Sequence, residues 1–556
     1  MPTPTEDQDV DVPLRLQPVV ARSEGWRGRS VNLIAVGLVG FVVVGIVLGT
    51  ALDNGGPSGT AVAAASLTAG TGSPRPSHTR RPAPTPAPLA TALPTLEVHG
   101  TELPDERRLI TGSSQQILDL SNGTVRSFGR GYEDVLWPVG DEIVCVCLVR
   151  FSDTSPAPLL RFARFDLRGA PIVERDLLSL EDAVAVPEMS EGFNMTAAID
   201  SAGMRLVLFV VKRVPPVWIV ELHVVDARTG ELLDSTVVDT FPVELEVPQR
   251  GESPSPRIEG GVPDGVYAWA TQMALAPDGT SVFITVVRSE VRSEQWMQRN
   301  LEWFVPIVDD EAGEPAPLSA DARLAIDRWC VGRATFLDPH LIVQLCGPPP
   351  SQPNDASFWS VRRLTVDGSS LGDLPIGAAQ SDGGSAAATI VDRGRRSVVM
   401  WDPFLHLMSR VDVDRGRVHE GVVAEAMLPG DRRPGGRGWI GVENGLVAAV
   451  DGSRLYALGL SSGPGDVGTS TGVWVFDAET LELLDHWEPR ALLTSLAVSA
   501  DGRFVYASSA AGYDVDGREN PRWPASVTVY DATTGEIVVL YGSVGDGQWL
   551  SFPAAD

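Results

Sequence analysis

Lysine is nearly absent from this chain. Lys212 is its only lysine, and arginine supplies every other fixed positive charge. This reads as a GC-rich, bacterial coding bias rather than as chemistry. Cysteine is scarce as well: Cys145, Cys147, Cys330 and Cys346 are the whole set. None lies in a CxxC pair or at a Cys/His spacing that zinc would use, which argues against a structural zinc site. The seven histidines are scattered. Positive charge as a whole is short. Against 72 acidic residues stand 44 basic ones, a formal net charge of −28. Such a surface repels nucleic acid and anionic lipid, so neither is expected as a partner of its bulk. Past residue 105 no long segment reads as an amphipathic helix, which disfavours bundles and α/β folds.

One run lacks charge entirely. Val31 to Leu52 is uncharged and glycine-bearing, and it matches the ~20 residues of a bilayer-spanning helix. Arg22, Arg27 and Arg29 crowd its N-terminal side, while the next basic residue on the other side is Arg75. Positive residues stay inside. The expectation is a single-pass cell-membrane protein with a cytoplasmic stub (1–30), a transmembrane helix (31–52) and everything from Asp53 extracytoplasmic. A cleaved signal peptide fits less well, because its apolar core is usually only ~7–15 residues and its leading segment short. Gly45 and Gly49 have the four-residue spacing that lets a second helix approach. Residues 53–104 then turn rich in Gly, Ser, Thr and Pro. Pro-rich chain extends at ~3.1 Å per residue, so about thirty such residues reach on the order of 90 Å. This segment reads as a linker.

From about residue 105 the texture becomes short apolar strands broken by tight turns, and two units recur. The first is strand, Asp-Gly turn, strand. It is clearest at Leu496 to Tyr506 around Asp501-Gly502, and again at Met273 to Phe283 around Asp278-Gly279. Looser copies surround Ala202-Gly203, Asp451-Gly452 and Arg393-Gly394. The second unit is a strand ending in Asp, a turn, then a strand. Asp226-Ala227-Arg228-Thr229-Gly230 and Asp531-Ala532-Thr533-Thr534-Gly535 are near copies. Asp477-Ala478-Glu479-Thr480-Leu481 follows the pattern without its glycine. Glycine supplies positive φ, and the Asp side chain bonds backbone N–H groups two residues on.

Alternating, the two units make four strands in about fifty residues, the size of a propeller blade. The pattern resembles the YVTN-type and WD-repeat-like β-propeller families, whose blades show an S-x-D-G-x-x-V-Y turn followed by V-x-D-x-x-T-G. The resemblance spans residues ~105–550 and implies a fold rather than an activity. The fold expected is all-β: a propeller of seven or eight blades, eight by count, occupying 105–556. Seven units fall near 131–180, 190–240, 268–318, 330–376, 386–424, 440–489 and 492–543. Arg108 to Phe128 adds about three strands, and Gln548 to Phe552 supplies a fourth, so the chain ends would share one blade. Val243–Pro263, Arg288–Asn300 and the arginine-bearing Gly430–Gly438 read as loops.

Few residues invite chemistry. Cys330 and Cys346 flank a hairpin-like stretch centred on Asp338-Pro339, so a bridge between them is expected in an oxidising compartment. Cys145 and Cys147 share one face of a strand, and both a free buried pair and a bond remain open. Asp514, Asp516 and Glu519 put several oxygens on one loop, the only metal candidates. Gly468 to Gly472 matches GxSxG and Gly436 to Gly441 matches GxGxxG, but neither has the strand-to-helix context those motifs need. No cofactor is expected. The leading expectation is a platform that binds an extracytoplasmic protein, peptide or glycan. The alternative is an extracytoplasmic propeller enzyme, a lactonase-like hydrolase or a quinone-linked dehydrogenase, with polar residues gathered at the central channel.

Overall fold

The computed structural model describes residues 96–98 and most of 108–551. Residues 1–95, 128–133, 150–157, 185–192, 244–264, 319–333, 347–357, 379–387, 423–444, 462–468 and 552–556 are the longer stretches outside it. Residues 28–91 separate as a unit of their own, also outside the described residues. The expected stub and transmembrane helix therefore lie outside the described residues, as does Gly430–Gly438. Among the described residues no helix is long and apolar enough to cross a membrane.

The described residues are all-β and form eight antiparallel sheets. Sheet I comprises Asp134–Val139, Glu142–Val149, Leu159–Asp166 and Pro171–Ser179. Sheet II comprises Phe193–Ile199, Arg205–Val214, Val217–Asp226 and Leu232–Pro242. Sheet III has Gly265–Leu275, Ser281–Arg292 and Gln295–Val308, with the two-residue strands Glu311–Ala312 and Ala316–Pro317 at its outer side. Sheet IV holds Ala334–Asp338, Leu341–Cys346, Phe358–Thr365 and Ser370–Ala378. Sheet V holds Ala388–Asp392, Ser397–Asp402, Leu407–Asp412 and Val418–Val422, and sheet VI Leu446–Ala448, Arg454–Ser461, Thr469–Asp477 and Leu483–Trp487. Sheet VII holds Leu493–Val498, Phe504–Ser509, Ser526–Asp531 and Ile537–Gly542. Sheet VIII joins the chain ends: Trp549–Ser551 pairs with Arg108–Thr111, which continues into Gln116–Asp119 and Thr124–Ser127.

The first strand of each sheet touches the first strand of the next, from Asp134–Val139 round to Trp549–Ser551. Apolar clusters fill the seams. The one between sheets II and III includes Phe209, Trp218, Leu222, Val282, Ile284 and Trp303. Ile117 of sheet VIII packs with Leu136, Ile143 and Phe165 of sheet I. Sheets packed face to face around an inner ring of strands make a β-propeller.

A series of polar pins crosses the seams into the following sheet. Nη1 of Arg164, Arg363, Arg410 and Arg454 donates to the carbonyls of Arg228, Val413, Ala478 and Ala532, each in the following sheet. The Trp218 and Trp401 indoles donate to Val266 and Leu458 carbonyls in the same sense. Between sheets III and IV, Arg362 Nη1 lies 2.9 Å from Glu302 Oε2, with both side chains buried.

The turn chemistry explains the repeats. Oδ1 of Asp531 accepts from the backbone N–H groups of Thr533 and Thr534, both at 2.8 Å, and Gly535 N–H bonds back to the Asp531 carbonyl. Asp226 and Asp477 repeat this arrangement. Gly535 has φ +71°; the copy without glycine places Leu481 at φ +59° in the same position.

Two expectations change. The linker read as running to Pro104 contributes Leu96–Val98, which pairs with Ile537–Gly542 as a fifth strand of sheet VII. Arg288–Asn300 is no loop. It is the far half of a hairpin whose register runs unbroken from Ser281↔Pro306 to Arg292↔Gln295. Its Arg, Ser, Glu and Gln content hides the strand, since such a run offers no apolar alternation to read.

Candidate functional site: the loop edge and the seam between sheets I and II

Sheets I to VII turn tightly at one edge, where the first strand meets the second, and the third the fourth, through short turns that are mostly Asp-capped; sheet VIII does so between its third and fourth strands. The opposite edge carries the longer connections, including 150–157, 244–264, 319–333, 347–357, 423–444 and 462–468. Tight hydrogen-bonded turns leave little to vary, whereas long connections supply adaptable contacts. Sheets II and III also have the longest strands. Val217–Asp226 has 10 residues and Gln295–Val308 has 14, against about 5–6 in an average strand. Their hairpins run on toward the loop edge.

The inner strands carry little that could break bonds. Their half-buried side chains include Thr196, Gln272, Thr335, Thr389 and Thr494. Gln272 Oε1 accepts from Gln344 Nε2 at 2.9 Å and from Ala334 N–H at 3.1 Å, which links sheet III to sheet IV. Among the described inner strands, carboxylates occur at Asp134, Asp338 and Asp392. Asp338 and Asp392 are committed to turns: Asp338 Oδ1 accepts from His340 N–H, and Asp392 Oδ1 from Arg395 N–H. Arg396 lies 2.7 Å from Asp338 Oδ2. Burial pushes the Asp338 carboxyl up, but the bonds from Arg396 and His340 outweigh it and hold the group below its usual range.

A cavity of about 310 Å³ opens in the seam between sheets I and II, at the turn edge. Val139, Val144 and Met204 supply apolar wall, while Asp141, Glu142 and Arg228 supply charge. Arg164 closes it from within: Nε donates to Glu142 Oε2 at 2.7 Å, and Nη1 to the Arg228 carbonyl at 2.6 Å. Gly203 lets the seam come this close. A Cβ there would sit 2.5 Å from Val139 Cγ1. The size is at the lower bound for small-molecule sites, and its inner charges already have partners, so it suits holding a small group rather than reacting with one.

The sequence-predicted site residues are dispersed. Asp514 and Glu519 lie in a small excursion between the second and third strands of sheet VII. Asp514 Oδ1 accepts from Arg518 N–H at 3.0 Å, Tyr513 and Glu519 form a β-bridge, and Glu519 is exposed. Asp516 lies outside the described residues. Among the described residues no three His, Cys, Asp or Glu converge on a metal-sized gap. Cys145 and Cys147 are joined by a disulfide within the second strand of sheet I, with Cα atoms 5.9 Å apart, which settles the question left open above. Cys346 is also disulfide-bonded. Cys330 lies outside the described residues. The sheet IV hairpin pairs Ala334 with Gln344, so the midpoint expected from the sequence is one residue early. Ser470 of the GxSxG match is fully buried in sheet VI. The seam cavity was not read from sequence, because its walls come from turns of two sheets.

No protein-family model matches the chain, and comparison with curated proteins finds no match either. Solved structures similar to it include dihydro-heme d1 dehydrogenase NirN in complex with DHE. That match has 14% identity and a TM-score of 0.41, covering 80% of this chain and 74% of that one. A protein from Lactobacillus plantarum matches at 13% identity and a TM-score of 0.36, covering 80% and 98%. The Pseudomonas aeruginosa periplasmic gluconolactonase PpgL matches at 15% identity and a TM-score of 0.34, covering 73% and 99%.

Proposed function

We propose that the chain is a membrane-anchored, extracytoplasmic, eight-bladed propeller that binds a protein, peptide or glycan through its loop edge. Residues 31–52 cross the cell membrane, the N-terminus stays in the cytoplasm, and the spacer holds the blades away from the lipid. The carrying observation is the asymmetry of the connections. One edge is closed by short capped turns, and the other gathers the long segments and the hairpins of sheets II and III. Long loops on a rigid frame are where recognition usually resides. The disulfides fit an oxidising compartment. An enzyme of the lactonase or quinone-dehydrogenase kind would gather polar groups at the channel. The described inner strands carry threonine and glutamine, and two of their three carboxylates, Asp338 and Asp392, are bonded into turns.

Site-specific photo-crosslinking in intact cells tests this. A photoreactive residue at Glu181 or Pro216, both exposed on the loop edge, is expected to capture an extracytoplasmic partner. The same group at Thr229 or Thr533, on the turn edge, is expected to capture none. The reverse pattern overturns the reading. Protease added to intact cells should remove the blades and spare residues 1–30; protection of the blades would refute the topology.

A further inference from the structure

The seam between sheets I and II also holds a polar array at its outer rim. Ser235 lies on Leu232–Pro242, the outermost strand of sheet II, and is exposed. Its hydroxyl stands 2.8 Å from Nδ1 of His223, its cross-strand partner. His223 is only 4% exposed. Its other ring nitrogen, Nε2, lies 3.5 Å from Oε2 of Glu221, which shares its face of the strand. Lys212, the chain's only lysine, sits 3.2 Å from Glu221 Oε1 and 3.2 Å from Asp182 Oδ2.

A cross-strand hydroxyl–imidazole pair is by itself an ordinary sheet contact. Three features set this one apart. The imidazole is buried while the hydroxyl it meets is open to solvent. A carboxylate backs the far ring nitrogen, which gives the order nucleophile, base, orienting acid. Burial pushes the Glu221 carboxyl up, but His223 and Lys212 beside it outweigh this and hold it below its ordinary range. His486 shows the contrast, because its ring is spent on the Thr471 carbonyl and stacked on Trp474.

We propose that Ser235 is a nucleophile toward small acyl esters, with His223 as its base and Glu221 as the positioning residue. Ser235 Oγ attacks the ester carbonyl carbon, and its proton passes to His223 Nδ1. The bond to the leaving alkoxide breaks, and that oxygen takes the proton from His223. Water then attacks the acyl-serine through the same base, releasing the acid and restoring the hydroxyl. An outermost strand leaves alternate backbone N–H groups without a ladder partner, and in this proposal such a group receives the oxyanion.

The test uses the full chain in detergent with a fluorophosphonate probe, which loses fluoride as the Ser235 Oγ–P bond forms. Peptide mass mapping is expected to place the adduct on Ser235. Ser235→Ala, at an exposed site, should abolish it. His223→Gln should slow labelling at least about 100-fold, the usual contribution of a general base. Glu221→Gln should slow it less, and Glu221→Asp should restore most of the rate, a rescue that a purely structural role would not show. Heat-unfolded wild-type protein should not label. The proposal fails if folded wild-type protein carries no adduct on Ser235, or if a folded His223→Gln variant labels at the wild-type rate.

Discussion

Leu481 occupies the left-handed region at φ +59° where its sister turns use glycine. That conformation costs an L-residue about 1–2 kcal/mol. The side chain is nonetheless buried, packed with Trp401, Trp474 and Phe476. Losing a buried leucine side chain costs about 2–5 kcal/mol, more than the backbone relief returns. Leu481→Gly is therefore expected to destabilise by about 1–3 kcal/mol on balance. Urea titration checks this, and an unchanged or raised midpoint would contradict it. Gly535 is the opposite case. A Cβ there would lie 2.0 Å from Trp487 Nε1, and φ is +71°. Trp487 is itself stacked against Tyr530 at 5.2 Å, so it has little room to retreat. Gly535→Ala should cost about 2–4 kcal/mol, read as a lower thermal midpoint. The glycine turns were legible in the sequence because only glycine is at ease there. Leu481 was not, since nothing local marks a leucine that tertiary packing holds in place.

At the scale of elements, the contact between sheets III and IV turns on Glu302 and Arg362. Burial holds the Glu302 carboxyl above its ordinary range despite the guanidinium beside it. Removing one member of a buried pair strands the other charge. Arg362→Ala is therefore expected to destabilise by about 3–5 kcal/mol, while Glu302→Leu combined with Arg362→Met should come near neutral. Equal losses in the two variants would show that the pair does not set this contact. The disulfides make a second prediction at this scale. Non-reducing peptide mapping should find the peptide holding Cys145 and Cys147 lighter by two hydrogens than its reduced form, and should link Cys330 to Cys346. Free thiol at Cys145 or Cys147 would contradict the first assignment. Sheet VII was legible as a unit near 492–543, which matches its strands from Leu493 to Gly542, because apolar runs and tight turns bound them; its fifth strand, Leu96–Val98, was not. The far half of the sheet III hairpin was missed, because its run of Arg, Ser, Glu and Gln gives no apolar alternation and backbone pairing leaves no mark on composition. The seam cavity and the Ser235–His223 contact were missed for another reason. They depend on which sheets touch and on register, and no local pattern records either.

For the whole molecule, the acidic composition has a structural use at the turn edge. Asp451 and Asp477 are held below their ordinary range by backbone N–H groups, of Ser453 in one case and of Thr480 and Glu479 in the other. At Asp226 burial works upward, but the bonds from Arg228 and Thr229 prevail. A carboxyl lowered by folding contributes stability that is present above its unfolded value and lost as pH falls through its folded value. The thermal midpoint should therefore hold from about pH 7 to about pH 5 and fall steeply below about pH 4. Glu302 runs the other way, since protonation relieves its burial, but it is one group against a series of turn aspartates. A midpoint that rises on acidification below about pH 4 would overturn this account. The repetition of small four-stranded antiparallel sheets was legible because the two turn units alternate. What recognises a partner was not, because it belongs to the long connections, where composition is free to drift.

Sheet VIII sets the timetable of assembly. Arg108–Thr111 is synthesised early in the blade region, yet its inner neighbour, Trp549–Ser551, follows only about 440 residues later. With chain growth at about 5–20 residues per second, the early strand waits tens of seconds with one side unmated. Until then the nascent protein carries an adhesive border that invites another copy or calls for a chaperone. A truncation that removes residues 549–551 would leave that border permanently open.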